Sequence, residues 1–208
     1  MKYIALTFDD GPCDVSENGG TAAMLSVLEK LNVKVTFFVI GQNVRDNNKA
    51  TKAIFEAGHE LANHSDGYAP LGNAQKNEIS ASLESANAAI KEITGKSPSL
   101  FRAPNLQYGS ELFNVCKEKG MSLIGGSAHN DWAVDAESIL KSVLNDPKDG
   151  DIIVLHENNT SKGNTMAVLP QIVGGLRERG FEILTVSRLA KLKGIVLEPG
   201  ISYNSFNN

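Results

Sequence analysis

Strand-length apolar runs alternate with helix-length amphipathic ones along nearly the whole chain, and this constrains the fold more than any other feature of the 208 residues. YIALTF (3–8) is rich in β-formers and stops at Asp9-Asp10-Gly11-Pro12. A helix follows, with Leu25, Leu28 and Leu31 on one face. VTFFVIG (35–41) is apolar throughout, as expected of a strand buried on both faces. Residues 49–57 read as a helix closed by Gly58, and HELAN (59–63) as a short strand. Between 77 and 94, Ile79, Leu83, Ala86, Ile90 and Ile93 recur at helical intervals. Next come a strand in SLFRAP, a helix over 111–119 stopped by Gly120, and a strand in SLIGG. A helix over 136–145, the strand DIIVLH (151–156), a helix over 168–179 and the strand FEILTV complete the series. Such repetition predicts an α/β fold of parallel strands joined by crossover helices, either an open doubly wound sheet or a closed barrel.

The polar residues favour the barrel. Asp9-Asp10 follow the first strand, His64 the third, and Arg102 ends the fourth. Asp131-Trp132 come soon after the fifth, and His156 closes the sixth. In a parallel barrel these C-terminal strand ends converge on one mouth, where such folds build their sites. The expectation is one domain over 1–208, a distorted (β/α) barrel of seven or eight strands, complete or incomplete in its closure.

A formal net charge of −4 with mixed signs argues against nucleic acid or an anionic membrane as partner, because both select clustered Lys and Arg. No apolar run is long enough to span a bilayer. Two cysteines, Cys13 and Cys116, form neither a disulfide framework nor a zinc knuckle. Cys13 lies near the acidic pair, but a buried free thiol is the simpler reading. Met1-Lys2 run straight into a strand without a signal peptide, leaving a cytosolic protein or a secreted one whose leader has been removed.

The residues at the strand ends suggest metal-assisted proton transfer. Adjacent carboxylates at a strand end point in different directions, so one of Asp9 and Asp10 can hold a metal while the other takes a proton. Asp-Gly-Pro is also ordinary turn chemistry, and no Gly-rich loop supports a phosphoryl-transfer aspartate. His64 alone reads as structural. With the acidic pair it becomes a ligand, in a donor set suited to zinc, cobalt, nickel or manganese. Arg102 can pin a carboxylate through a bidentate pair, which would hold Asp9 ionised and aimed. His156 suits donation to a leaving group, with Asp131 fixing its tautomer and raising its pKa. Trp132 and Tyr68 offer flat faces to a sugar ring or to the core. His59 and His129 receive no role. Asn158-Asn159-Thr160 fits a glycosylation sequon, but a polar loop rimming the site is simpler.

TFDDGP, the NHS segment, FRAPN, NDW and VLHE, in this order, resemble the motifs of the family 4 carbohydrate esterases, the polysaccharide deacetylases with a NodB-homology domain. The resemblance runs from Tyr3 to about Leu192. Within the family it is greatest to the clostridial acetyl xylan esterases, which share HS-x-x-Y, R-x-P-N-L, NDW and a tail with LKG and YNS. The resemblance implies Asp9 as base, Asp10 and His64 as metal ligands, and Arg102 as the residue orienting Asp9. It implies His156 as general acid tuned by Asp131, Leu155 and Trp132 as walls of an acetyl pocket, and the Asn105 N–H as oxyanion donor. Two positions depart from the commoner pattern. Tyr68 stands where a second histidine ligand is usual, and Asn105 where a tyrosine is.

The expectation is therefore a metal-dependent hydrolase that removes O-acetyl groups from xylan or a related plant polysaccharide. A divalent zinc, cobalt or nickel ion would sit there in a water-rich shell near Tyr68. A secreted monomer without nucleic-acid or membrane partners fits this reading. An N-deacetylase of chitin or peptidoglycan is the nearest alternative, and a non-catalytic carbohydrate-binding domain the alternative of another class.

Overall fold

The computed structural model describes residues 1–13, 20–157 and 164–207. The sequon at 158–160 lies outside them. Strands β1 (Lys2–Gly11), β2 (Thr36–Val39), β3 (Glu60–Asn63), β4 (Leu100–Phe101) and β5 (Ser122–Ile124) are joined by helices. These are α1 (Gly20–Lys30), α2 (Gly41–Asp46), α3 (Asn48–Glu56), α4 (Lys76–Thr94) and α5 (Ser110–Glu118). After β6 (Ser127–Ala128) come α6 (Ala136–Leu144), β7 (Ile152–His156), α7 (Asn164–Glu178), β8 (Phe181–Leu184), α8 (Val186–Leu192) and β9 (Ser202–Tyr203). The sheet order β6-β7-β1-β2-β3-β4-β5-β9 is parallel throughout, with β8 paired to the start of β1. The result is the expected distorted barrel, curled and incompletely closed.

Among the described residues no ladder joins β6 to β9, and only an isolated bridge pairs Asp151 with Ser205. Instead β5 runs on into β6 through Gly125-Gly126, where a Cβ would meet Asn204 Oδ1 at 1.9 Å and the Ile152 carbonyl at 2.5 Å. Gly126 also has φ 144°, so glycine is needed there for conformation as well as space.

Strand alternation divides the core in two. Ile4, Leu6 and Phe8 of β1, Phe37 and Val39 of β2, and Ile153 and Leu155 of β7 pack outward against Met24 and Leu28 of α1, Ile54 of α3 and Leu169 of α7. Ala5, Phe38 and Ile152 point inward and meet Val186 and Leu189 of α8 and Phe206. Thr7, Asp9, Val154 and His156 share this inner parity.

Several boundaries differ from the expectation. β1 continues through Asp9, Asp10 and Gly11 because it pairs with β7 as far as Asp9 and with β2 as far as Gly11. β4 is only two residues long, so Arg102 follows the strand. Helices α2 and α8 and strands β6 and β9 were not anticipated. Elements this short have little local signal and depend on tertiary contacts.

Candidate active site

Both Asp9 and Asp10 border one cavity, which corrects the expectation that neighbouring carboxylates diverge. The cause is a bulge: Asp9 pairs with Phe38 and Gly11 with Val39, leaving Asp10 as an extra residue with φ 71°. The cavity, about 430 Å³, has Asp9, Asp10, His64 and His156 on its floor and Tyr68, Leu106, Trp132 and Val154 around them.

Arg102 is fully buried below this floor. Its Nη1 donates to Asp9 Oδ1 at 2.6 Å and to Thr7 Oγ1 at 2.7 Å. Nε donates to the Ile124 carbonyl at 3.1 Å, and Nη2 to that of Gly125 at 2.8 Å. The guanidinium lies 3.9 Å from the Phe38 ring centroid. The pair with Asp9 is thus not the bidentate fork expected, because the remaining donors hold the barrel wall together. Asp9 keeps Oδ2 for the cavity side, 3.8 Å from His64 Nε2.

His64 Nδ1 lies 2.8 Å from the Arg102 carbonyl. A carbonyl can only accept, so Nδ1 carries the hydrogen and Nε2 faces Asp10 Oδ1 at 3.5 Å. Burial works against ionisation of Asp10, yet the His64 hydrogen bond and the charges of His64 and His156 hold its carboxyl below the usual range. An imidazole nitrogen and a carboxylate oxygen this close fit a divalent cation between them. No cluster of three His, Cys, Asp or Glu residues suited to a metal forms among the described residues. Tyr68 borders the same cavity, and its hydroxyl accepts from Asn43 Nδ2 at 3.1 Å.

Asp131, also fully buried, receives the His156 backbone N–H on Oδ2 at 2.8 Å and the Thr165 hydroxyl at 2.6 Å. Its Oδ1 lies 2.7 Å from His156 Nδ1. Burial alone would lower the His156 pKa. The Asp131 hydrogen bond and the charges of Asp131, Asp9 and Asp10 outweigh it, and the imidazole titrates above its ordinary value. Trp132 stands edge-on to this ring, centroids 4.8 Å apart.

Asn105 borders the cavity with φ 56°, ψ 17°, a left-handed conformation that asparagine tolerates. Leu155 requires correction. It is fully buried in the outward-facing core, because its parity in β7 is opposite to that of His156, and Val154 borders the cavity instead. Strand alternation in the sequence would have identified Val154, and Thr7 beside Asp9.

His59 and His129 lie outside the cavity. His59 Nδ1 accepts the Val35 N–H, and burial with the nearby Lys34 charge lowers its pKa to about 4. His129 is half-buried against the Ser142 hydroxyl, not solvent-facing as its sequence position implies. One further carboxyl received no role. Glu157 is buried, its Oε1 is bonded to the Thr21 hydroxyl, its Oε2 lacks a partner among the described residues, and burial pushes its pKa up to about 7.

A parallel barrel whose mouth gathers an Arg–Asp pair, an Asp–His pair and a metal-competent His–Asp pair is built for metal-assisted hydrolysis. The polysaccharide deacetylase family model matches residues 1–124, and the chain belongs to that family of metal-dependent carbohydrate esterases. A bifunctional xylanase/deacetylase of Pseudobutyrivibrio xylanivorans is 37% identical over 100% of this chain, which spans 33% of that relative's length. A peptidoglycan-N-acetylglucosamine deacetylase of Bacillus cereus is 32% identical over 92% of this chain and 90% of its own. The solved structure of a family 4 acetyl xylan esterase from Clostridium thermocellum, in complex with a cobalt ion, superposes with a TM-score of 0.90. It is 38% identical, over 98% of each chain.

Proposed function

We propose that this chain hydrolyses O-acetyl esters on xylan or a related plant polysaccharide. The observation that carries the reading is Tyr68 beside a metal-competent pair of only Asp10 and His64. A sparse ligand set holds its ion more weakly, and an ester tolerates a weakened metal site better than an amide, because an alkoxide leaves more readily than an amine. The xylanase/deacetylase and acetyl xylan esterase relatives support the same choice.

In this reading Asp10 and His64 would hold a zinc, cobalt or nickel ion. Once bound, the ion would supply Lewis acidity to the acetyl carbonyl and to the attacking water. Asp9, its Oδ1 fixed by Arg102, takes the water's proton on Oδ2. The Asn105 N–H donates to the developing oxyanion. His156, held through Nδ1 by Asp131, returns a proton from Nε2 to the departing sugar oxygen. Trp132, Leu106 and Val154 shield the acetyl group, and the exposed faces of Trp132 and Tyr68 meet sugar rings. The substrate would be carbohydrate alone and the protein a secreted monomer.

The second reading is N-deacetylation of GlcNAc polymers, favoured by the Bacillus cereus relative and its near-complete mutual coverage. Acetate release from acetylated xylan and from chitooligosaccharide, each with and without chelator, separates the two. Chelator-sensitive release mainly from xylan is expected, and release mainly from chitooligosaccharide overturns the ester reading.

A further inference from the structure

Helix α2, only six residues long, follows β2, the strand that lies between the ones leading to Asp10 and His64. Its first amides reach the His64 side, Gly41 N–H donating to the Ser65 carbonyl and Gln42 N–H to that of Asp66 at 2.9 and 3.0 Å. Arg45 adds an ion pair with Asp66 at 2.8 Å. Gly41 permits the approach, since a Cβ there would lie 2.3 Å from Asp66 Oδ1 and 2.8 Å from the Ala86 Cα.

Contact with the Asp10 side comes from Asn43. Its Nδ2 donates to the Asp10 carbonyl at 2.8 Å and to the Tyr68 hydroxyl at 3.1 Å, using both amide hydrogens. The Asp10 carbonyl belongs to the bulged residue, whose φ of 71° lies in the left-handed region that L-residues, aspartate among the more tolerant, adopt only singly. Rotation about that bond would swing the Asp10 carboxylate away from His64 Nε2.

We infer that Asn43 is the positioning residue of the metal pair, fixing the Asp10 bulge against the His64 loop and holding the Tyr68 ring at the third-ligand place. The inference rests on the reading of Asp10 and His64 as metal ligands. Asn43 touches neither the metal nor the substrate. It acts through the backbone of one ligand and the hydroxyl of the residue beside both.

The test is Co²⁺ binding to the chelator-stripped full chain, by calorimetry and by the visible absorption of bound cobalt. Asn43→Ala is expected to weaken binding roughly ten- to a hundredfold and to alter the cobalt spectrum, as losing a partner behind a ligand does. Arg45→Ala loosens the same helix through another contact and is expected to leave affinity within about twofold. Wild-type affinity and spectrum in Asn43→Ala overturn the inference, as does an equal loss in Arg45→Ala. If Asn43→Ala fails to fold, Asn43→Asp decides, because it keeps the side-chain volume while removing both donors. Undiminished Co²⁺ binding by Asp10→Ala would instead overturn the metal reading itself, and this inference with it.

Discussion

The two halves of the mouth are built to different standards. On one side, Arg102 and Asp131 are fully buried and their partners are fixed by hydrogen bonds at 2.6 to 3.1 Å. On the other, Asp10 and His64 are 3.5 Å apart, beside a tyrosine that is 55% exposed. Proton-transfer groups must be aimed in advance, since their effect depends on geometry within a hydrogen-bond length. A metal ion can organise its own ligands and fill gaps with water, so its half tolerates looser construction. The first half is preorganised by the fold, and the second is completed by what binds.

Asp9→Asn should break the comparison most sharply. It removes the proposed base and leaves the Arg102 guanidinium buried without a counter-charge. Turnover is expected to fall roughly 10²- to 10⁴-fold, and the thermal midpoint to drop with it. Co²⁺ affinity should hardly change, because Asp9 belongs to the other half. Chelator-sensitive acetate release at the wild-type rate would end the assignment of Asp9 as base, whereas no release by the wild-type chain from any acetylated polysaccharide would favour a non-catalytic carbohydrate-binding domain.

Asp131→Asn tests the other buried pair. His156 must be protonated to act as acid, and its raised pKa keeps it so to higher pH. Removing the Asp131 charge should move the alkaline limb of the pH–rate profile downward and lower turnover by about 10²-fold. An unmoved limb would mean that His156 is not the titrating acid.

Glu157 is the flaw in the well-built half. Its backbone N–H donates to the Asp9 carbonyl at 3.0 Å, while the carboxyl lies against Gly11, where a Cβ would meet Oε2 at 1.7 Å. Burial raises its pKa from 4.5 to about 7, with nearby Cys13 pushed up to about 12 by burial and the charges of Glu157 and Asp10. The folded state therefore holds a proton that the unfolded chain has released. The contribution is complete below pH 4.5 and lost as pH rises through about 7. Glu157→Gln should flatten this dependence and recover up to about 3 kcal/mol at alkaline pH, read from denaturant midpoints across the range. A slope equal to that of wild type would show the carboxyl ionised in the fold.

The same contrast explains what the sequence revealed. Each residue of the preorganised half sits at a strand end, so strand order placed Asp9, Arg102, Asp131 and His156 at one mouth. Alternation set Leu155 facing outward and Val154 inward, a distinction visible in VLHE once His156 is taken as inward. The metal half was less legible. The Asp10 bulge depends on mismatched register between β1 and β2, which neither strand shows alone. Asn43 lies in a helix too short to have a periodicity of its own. β6 and β9, of two residues each, exist only as neighbours of longer strands.

Tyr68→His is the smallest change and the one aimed at the difference itself. The hydroxyl would be lost with its bond from Asn43, and an imidazole would enter beside Asp10 and His64. If the site is sparse because of Tyr68, a third nitrogen should tighten Co²⁺ or Zn²⁺ binding by roughly tenfold, about 1.4 kcal/mol. It should also make the metal slower to leave under chelator. If ester preference follows from the weakened site, turnover of chitooligosaccharide should rise relative to acetylated xylan. Unchanged affinity would mean that the α2 bracket, rather than the missing ligand, sets the strength of the site. Tighter binding without a shift in substrate ratio would separate metal affinity from ester preference, and the choice of substrate would then rest on the sugar-facing walls formed by Trp132 and Leu106.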